Sequence, residues 1–203
     1  MNYTTTNDSS MDMATSGRKS GDLPGDLAIW IFIFAEMLVF GVLFVAYAFS
    51  RANDVELFNS SQQTLSQTAG AINTLVLITS SYLVVRAVSA IRRGFSNAYA
   101  HWLSGAFLLG GVFVAIKLVE FHEKFSAGIT LSTNTFYMFY LALTFFHFMH
   151  VIMGMIILAF IINKARRGGY GSQDYDGVET GASFWHMVDL LWIILFPLVY
   201  VIR

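Results

Sequence analysis

The sequence predicts an all-α integral membrane protein, a bundle of five transmembrane helices. Its 203 residues are 56 % hydrophobic and 12 % charged, with a mean hydropathy of +0.60, which is too apolar for an ordinary water-soluble domain. Five apolar runs reach the length of about 20 residues that a helix needs to cross a bilayer. Each run has to be helical, because a lone strand in lipid would leave its backbone groups unpaired.

The predicted spans are bounded by charged residues, glycine or asparagine. They are 27–49, 69–91, 99–121, 136–162 and 182–202. The connecting stretches 50–68 and 163–180 are polar and resemble no folded domain. Residues 1–24 are rich in Ser, Thr, Asn and Asp, which predicts a disordered polar tail. The first apolar run is too long for a signal peptide, so we expect it to stay as part of a membrane domain at 25–203.

The Lys and Arg distribution predicts the orientation of the bundle. Cytoplasmic loops are enriched in these residues, and the two sides of this bundle differ in basic charge. One side would hold Arg18, Lys19, Arg92, Arg93, Lys164, Arg166 and Arg167, and the other Arg51, Lys124 and Arg203. We therefore expect the N-terminus in the cytoplasm and the C-terminus outside. The net charge of −1 indicates no nucleic-acid partner, and the absence of cysteine excludes disulfides and thiolate chemistry.

Ionisable residues within the spans are the candidate functional residues. Placing a charged side chain in hydrocarbon costs about 3 kcal/mol of free energy on insertion scales, unless the side chain faces protein and has a partner. The candidate residues are Glu36, Lys117, Glu120, His147, His150, His186 and Asp189. Three pairs among them have i,i+3 spacing, so each pair lies on one side of its helix. Lys117 and Glu120 are predicted to form an ion pair.

Three roles are open for His147 and His150. Metal or haem ligation would need partner ligands at equal depth, and the sequence offers none. A proton relay would need acids and histidines across the whole membrane, and there are too few of them here. Hydrogen bonding between helices needs one acceptor for each histidine, and we favour this role. At similar depth, Glu36, His150 and Asp189 could then connect the first, fourth and fifth spans.

Five motifs in order resemble one family. "WIFIFAEMLVFGVLFVAY" is similar to its Glu-bearing helix, and "INTLVLITSSYLVVRAV" to its Asn-Thr-x-x-Leu-x-x-Ser-Ser helix. "KLVEFHEKFSAGI" resembles the Glu-aromatic stretch that follows, and "LTFFHFMHVIMG" the paired-histidine signature, with Phe145 where the family often has Gly. "SFWHMVDLLWIILFPLVY" resembles the Trp-His-x-Val-Asp-x-x-Trp motif. Over about 25–202 the chain is thus similar to subunit III of the haem-copper oxidases, in its five-helix form.

The resemblance implies a non-catalytic accessory subunit of a respiratory haem-copper oxidase or nitric oxide reductase. Such a subunit would stabilise the catalytic subunit I and support proton uptake in the bacterial inner membrane. Haem and copper or iron would lie in subunit I, with no cofactor, metal or catalytic residue in this chain, and membrane lipids would be further partners. The family's buried polar positions correspond to Glu36, Glu120, His147, His150, His186 and Asp189. The short 163–180 stretch and the "LFPLVYVIR" ending resemble the branch that accompanies nitric oxide reductase.

The alternative is an independent small membrane protein, either a transporter or a haem-binding membrane anchor. A transporter would be expected to show an internal repeat or helices broken at mid-membrane. The sequence shows no repeat, and its candidate breaks within spans are Pro197 and the pair Gly110–Gly111. We expect the glycine pair to permit close helix packing instead.

Overall fold

The computed structural model describes residues 27–94, 98–171 and 175–202, and these ranges are mainly helical. Five helices are long and apolar enough to cross a membrane. In chain order the elements are α1 (Leu27–Asn53), α2 (Val55–Gln62), α3 (Gln67–Arg92), α4 (Ala98–Ser126), α5 (Thr135–Arg166), α6 (Asp176–Phe196) and a π-helical turn (Pro197–Val201). The predicted five-helix membrane bundle is confirmed. The predicted polar tail at 1–24 lies outside the described residues.

The polar connections contain more helix than predicted. Within 50–68 the chain forms α2, whose N-cap Asp54 accepts a hydrogen bond from the Leu57 amide at 3.2 Å. The α2 helix buries Phe58, which fixes this short helix against the bundle. The 163–180 stretch is also partly helical, since α5 continues to Arg166 and α6 begins at Asp176. Polarity alone indicated loops here, whereas the cap and one buried apolar residue stabilise helix.

The core forms where α6 packs among α1, α3 and α5, and where α3 packs along α4. Trp185 of α6 is 1 % exposed and lies against two glycines of neighbouring helices. A Cβ atom on Gly110 would come within 2.8 Å of its ring, and one on Gly154 within 2.9 Å. A Cβ on Gly111 would meet its nearest neighbour at 3.9 Å, an ordinary contact. Close packing is therefore confirmed for Gly110.

The α1 helix is the least enclosed of the spans. Its buried residues are Ile33, Phe40 and Tyr47, which are spaced by seven and form one narrow seam. Large apolar residues elsewhere on the helix are exposed, among them Ile31, Phe34, Leu38, Val42, Val45 and Phe49. The helix therefore contacts the bundle along a single line and leaves most of its surface for lipid or protein.

Side chains from the end of α1, from α2 and from the start of α3 hold the C-terminal turn. Pro197 occupies its first position, directly after α6, where proline has no N–H to continue the α-helical hydrogen bonds. Three side chains donate to backbone carbonyls of the last residues, Arg51 to Ile202 at 2.7 Å, Gln62 to Val199 at 3.0 Å and Gln67 to Tyr200 at 2.8 Å. The turn is thus fixed so that Tyr200 points into the bundle, where it is 0 % exposed.

Candidate functional site

Four polar side chains meet inside one end of the bundle, and we call them the lysine cluster: Lys117, Glu120, Tyr140 and Tyr200. The Lys117 ammonium donates to the Glu120 carboxylate at 3.0 Å and to the Tyr200 hydroxyl at 2.6 Å. The hydroxyls of Tyr140 and Tyr200 each donate to Glu120 at 2.6 Å. The predicted ion pair is therefore present. Three donors converge on one carboxylate, which favours its ionised form and a charged lysine beside it.

Aromatic rings enclose the ammonium group of the lysine cluster. It lies 5.1 Å from the ring centroid of Trp192, 5.2 Å from that of Tyr200 and 5.5 Å from that of Phe121. Lys117 itself is 0 % exposed. The ring faces attract a cation, which offsets part of the cost of removing it from water. The arrangement is closed on all sides by this chain.

A second polar site joins α1 to α5, and we call it the glutamate–histidine pair. His150 Nε2 lies 3.1 Å from the Glu36 carboxylate, and His150 Nδ1 lies 2.8 Å from the Phe146 carbonyl. A carbonyl can only accept, so Nδ1 bears a hydrogen. The bond to Glu36 then needs one further proton, placed either on Nε2 or on the carboxyl group. The pair therefore holds one shared proton in either arrangement. It is also open at one side, since the Glu36 side chain is 19 % exposed.

His147 is fully buried but makes no hydrogen bond with the described residues. Its ring lies among aromatic rings, 5.2 Å from the centroid of Trp192, 5.8 Å from that of Phe113 and 6.5 Å from that of Phe40. Within the described part of the chain, the predicted interhelical hydrogen bond is therefore present for His150 and absent for His147. The latter instead packs as an aromatic residue between the two polar sites.

The expected grouping of Asp189 with Glu36 and His150 is wrong. Among the described residues, Asp189 makes no ion pair or hydrogen bond with either, and its carboxyl group lies beside the Ser81 hydroxyl of α3. His186 also meets Ser81, with 2.6 Å between Nδ1 and the hydroxyl oxygen. His186 and Asp189 lie on the face of α6 that packs against α3. These two residues therefore connect α3 to α6 rather than α6 to α1.

Sequence reasoning missed the partners outside the charged residues. Tyr140 and Tyr200 are uncharged, and Ser81 is small, so a prediction based on ionisable residues does not include them. The sequence indicates Arg92 only as one of the basic residues that predict the orientation, yet it donates to the buried Glu179 at 2.6 Å and 3.1 Å. Its partner lay in a stretch predicted to be loop. A signal was available for the tyrosines, since a phenol buried within an apolar span usually has a hydrogen-bond partner.

The site residues do not assemble into a metal centre. No group of three or more His, Asp or Glu side chains that could hold a metal ion occurs in the described ranges 27–94, 98–171 and 175–202. In the lysine cluster each polar side chain already has a hydrogen-bond partner within the cluster, and the glutamate–histidine pair has two members. The lysine cluster neutralises its own charges, and the glutamate–histidine pair can hold a proton.

Comparisons with known proteins agree with the fold. The family model of cytochrome c oxidase subunit III matches residues 24–202. Cytochrome c oxidase subunit 3 of Thermostichus vulcanus is 32 % identical over 186 residues, covering 87 % of this chain and 86 % of that protein. Quinol oxidase subunit 3 of Bacillus subtilis is 29 % identical over 174 residues, covering 86 % and 85 %. Heme-copper oxidase subunit I+III of Aeropyrum pernix is 32 % identical over 186 residues, covering 86 % of this chain and 22 % of that protein.

Fold and site together define a multi-pass, all-α membrane protein with polar groups at the contacts between its helices. The match over residues 24–202 then specifies the family. The chain belongs to the cytochrome c oxidase subunit III family.

Proposed function

We propose that this chain is the accessory subunit III of a respiratory haem-copper oxidase complex and packs against the catalytic subunit I. Its relatives are named as subunit III of cytochrome c or quinol oxidases. The Aeropyrum pernix relative joins the two subunits in one chain, as its name I+III states. Fusion of this kind supports a stable contact between them. The haem and copper of the reaction would then belong to subunit I.

The observation that most supports a role in proton uptake is the glutamate–histidine pair. Its hydrogen-bond pattern requires one shared proton, and the carboxyl side chain is partly exposed on the least enclosed helix. A polar group at membrane depth is costly when it faces lipid, so cover by another protein is favourable. We infer that Glu36 lies near subunit I in the complex and holds a proton there, while the lysine cluster stabilises this chain.

The finer assignments belong to the same proposal. The complex would lie in the bacterial inner membrane, with the N-terminus of this chain in the cytoplasm according to its basic residues. Residues 25–203 would form the membrane domain and 1–24 a polar tail. Membrane lipids would be its other partners. A nitric oxide reductase as the partner complex rests only on the short 163–180 stretch and the chain ending, whereas the named relatives are oxidase subunits.

The experiment is a reduced-minus-oxidised visible spectrum of the material that co-purifies with the tagged chain from native membranes in mild detergent. We expect a haem signal that disappears, with this chain intact, when a harsher detergent removes the partner. The haem type would then separate an oxygen reductase from a nitric oxide reductase. A signal that stays with the isolated chain would instead show a haem-binding anchor. No haem signal under any mild condition would favour an independent membrane protein.

A further inference from the structure

The contact between α3 and α6 contains a third polar site, formed by Ser81, His186 and Asp189, which we call the Ser81 site. The Ser81 hydroxyl oxygen lies 2.6 Å from His186 Nδ1 and beside the carboxyl group of Asp189. At 1.5 Å per residue, Ser81 lies roughly 16 Å from the end of α3 at Arg92, and His186 roughly 15 Å from the start of α6 at Asp176. The site is therefore near the middle of a hydrocarbon core that is about 30 Å thick.

The hydrogen bonds within the Ser81 site leave two polar atoms without a partner. The Ser81 hydroxyl can accept from one neighbour and donate to the other, so the three side chains form a directed chain in either direction. Both directions leave His186 Nε2 and one carboxyl oxygen of Asp189 unbonded. Among the described residues, His186 bonds through Nδ1 alone, and Asp189 Oδ1 has no hydrogen-bond partner. The Asp189 side chain is nevertheless buried.

One of these two atoms faces out of the chain. Asp189 Oδ1 is enclosed by this chain, whereas the His186 side chain is partly exposed and its Nε2 reaches the surface. Lipid chains offer no hydrogen bond, and ionisable residues in a span almost always face protein or a water-filled cavity. Cover of His186 by another protein is therefore favourable.

An exposed apolar surface surrounds His186, and we call it the α6 face: Leu190 and Ile193 of α6 with Ile78 and Val85 of α3. The first two follow His186 at i+4 and i+7, so they lie on its side of the helix. All four are exposed in this chain. A single polar atom within an apolar surface is typical of contacts between membrane helices, where packing supplies most of the area and one hydrogen bond fixes the register.

The α6 face is continuous with α1, the helix that the proposed function places beside subunit I. Phe32 of α1 stacks on Phe184 of α6, with 6.1 Å between the ring centroids. The α6 helix thus packs between α1 and α3 and has its exposed residues in the gap between them. A partner that covers Glu36 on α1 would extend over this neighbouring surface.

We propose that the α6 face binds a transmembrane helix of subunit I that presents a hydroxyl or amide side chain to His186 Nε2 at mid-membrane. Hydroxyl and amide groups both donate and accept, so either suits Nε2 in both directions of the hydrogen-bond chain. The inference rests on the proposed function and adds a second contact to it. The Ser81 hydroxyl then acts as a positioning group, because its bond to Nδ1 fixes the ring with Nε2 towards the partner.

The first test is photo-crosslinking within the complex purified from native membranes in mild detergent. Benzoyl-phenylalanine replaces Leu190 on α6 or, as the matched control, the exposed Ile156 on α5. We expect an adduct with the haem-bearing subunit from position 190 and none from position 156, identified by mass spectrometry of the joined peptides.

The outcomes separate this contact from the proposed function. If the haem-bearing subunit co-purifies but position 190 captures only lipid, or captures no more than position 156, this contact is wrong and the proposed function stands. An adduct with a second copy of this chain would also overturn the contact. A preparation without any haem-bearing subunit would contradict the proposed function and, with it, this inference.

The second test concerns the hydrogen bond of His186 and measures how much subunit I stays with the chain as a harsher detergent is added. His186→Phe should weaken retention about three-fold, the change that corresponds to an interhelical hydrogen bond of about 0.6 kcal/mol. His186→Gln keeps an amide for the same partner and should restore most of the retention. His122→Phe is the control, since it makes the same change at an exposed histidine of α4.

A further variant, Ile193→Trp, leaves the Ser81 site intact and obstructs the contact by its size. It should also weaken retention, and it decides the matter if His186→Phe unfolds the isolated chain. Full retention in Ile193→Trp, or a loss in His122→Phe equal to that in His186→Phe, would overturn the proposal.

Discussion

The lysine cluster and the glutamate–histidine pair each place an acid beside a base within the membrane, but the two sites differ in how they enclose these groups. The lysine cluster unites side chains of α4, α5 and the π-helical turn, and its carboxylate accepts three hydrogen bonds. Its lysine is 0 % exposed. The glutamate–histidine pair has one bond between its members and a glutamate that is 19 % exposed.

The difference supports the proposal that the lysine cluster stabilises this chain and that the glutamate–histidine pair serves the assembly with subunit I. In the lysine cluster the charges of Lys117 and Glu120 are neutralised inside the subunit, so the cluster needs no contact with a partner protein. In the glutamate–histidine pair a proton is shared by two groups, and one of them is open to whatever covers α1. Removal of the first should therefore unfold the chain, whereas alteration of the second should leave the isolated chain folded and change the complex.

The largest effect is expected for Glu120→Gln in the lysine cluster. The change removes the negative charge and leaves Lys117 buried and unpaired. Breaking a buried ion pair in this way costs about 3–5 kcal/mol of unfolding free energy. The measurement is unfolding in mixed micelles with a rising fraction of denaturing detergent, followed by circular dichroism.

The matched control is the double variant Lys117→Met with Glu120→Gln. It removes both charges and keeps an amide that can bond the two tyrosine hydroxyls. We expect it to recover at least half of the loss, since uncharged replacements of buried ion pairs are often neutral. Equal instability of the single and double variants would show that the unpaired charge is not the cause.

Tyr200→Phe should have the second largest effect. The hydroxyl accepts from Lys117 and donates to Glu120, both at 2.6 Å, so its loss removes two bonds to charged groups. We expect a loss of about 2 kcal/mol in the same unfolding experiment. Tyr137→Phe is a suitable comparison, because within the described ranges that hydroxyl bonds Thr64 at 2.7 Å and no charged group. A smaller loss for Tyr200 than for Tyr137 would contradict the central place of Tyr200.

A large part of this architecture could be predicted from the sequence, because hydrophobic length alone specifies spans. The spacing of Lys117 and Glu120 was also sufficient to predict their pairing, since both lie on one helix. The contacts of Asp189 could not be predicted in the same way. They depend on which helix faces α6, and a helical spacing defines a face without naming its neighbour.

The missed residues have a related cause. Tyr200 reaches the lysine cluster only because Gln62 and Gln67 fix the last turn, and these contacts join residues more than 130 positions apart in sequence. Asp54 and Ser66 are capping residues, which signal helix starts within the polar 50–68 stretch. That local signal was present in the sequence and was outweighed by the overall polarity of the stretch.

Gly110→Ala tests whether helix packing, independent of either polar site, holds the bundle together. The new methyl group would lie 2.8 Å from the Trp185 ring, whereas alanine at position 111 meets its nearest neighbour at 3.9 Å. Overpacking costs about 1–3 kcal/mol and alanine gains up to about 1 kcal/mol in helix propensity, so we expect a net loss of about 1 kcal/mol. Gly111→Ala should be neutral or stabilising. A stable Gly110→Ala would show that Trp185 moves aside without cost.

The smallest effect on stability is expected for Glu36→Gln. This change best distinguishes the proposed role of the glutamate–histidine pair in the complex from the role of the lysine cluster in the stability of the chain. The glutamine amide can donate to a neutral His150, so one hydrogen bond remains while the shared proton is lost. The isolated chain should lose no more than about 0.6 kcal/mol, the average for an interhelical hydrogen bond in a membrane. The purified complex should nevertheless lose turnover, or inactivate faster during it, if Glu36 holds a proton beside subunit I.

Glu56→Gln is the control for this last comparison, because Glu56 is exposed on α2 and the change removes the same charge. It should leave both the isolated chain and the complex unchanged. If Glu36→Gln left the turnover of the complex and the stability of the chain at the level of this control, Glu36 would have no role in either. A loss in the complex alone would instead assign the glutamate–histidine pair to the assembly, because its stability contribution within the chain is too small to explain inactivation.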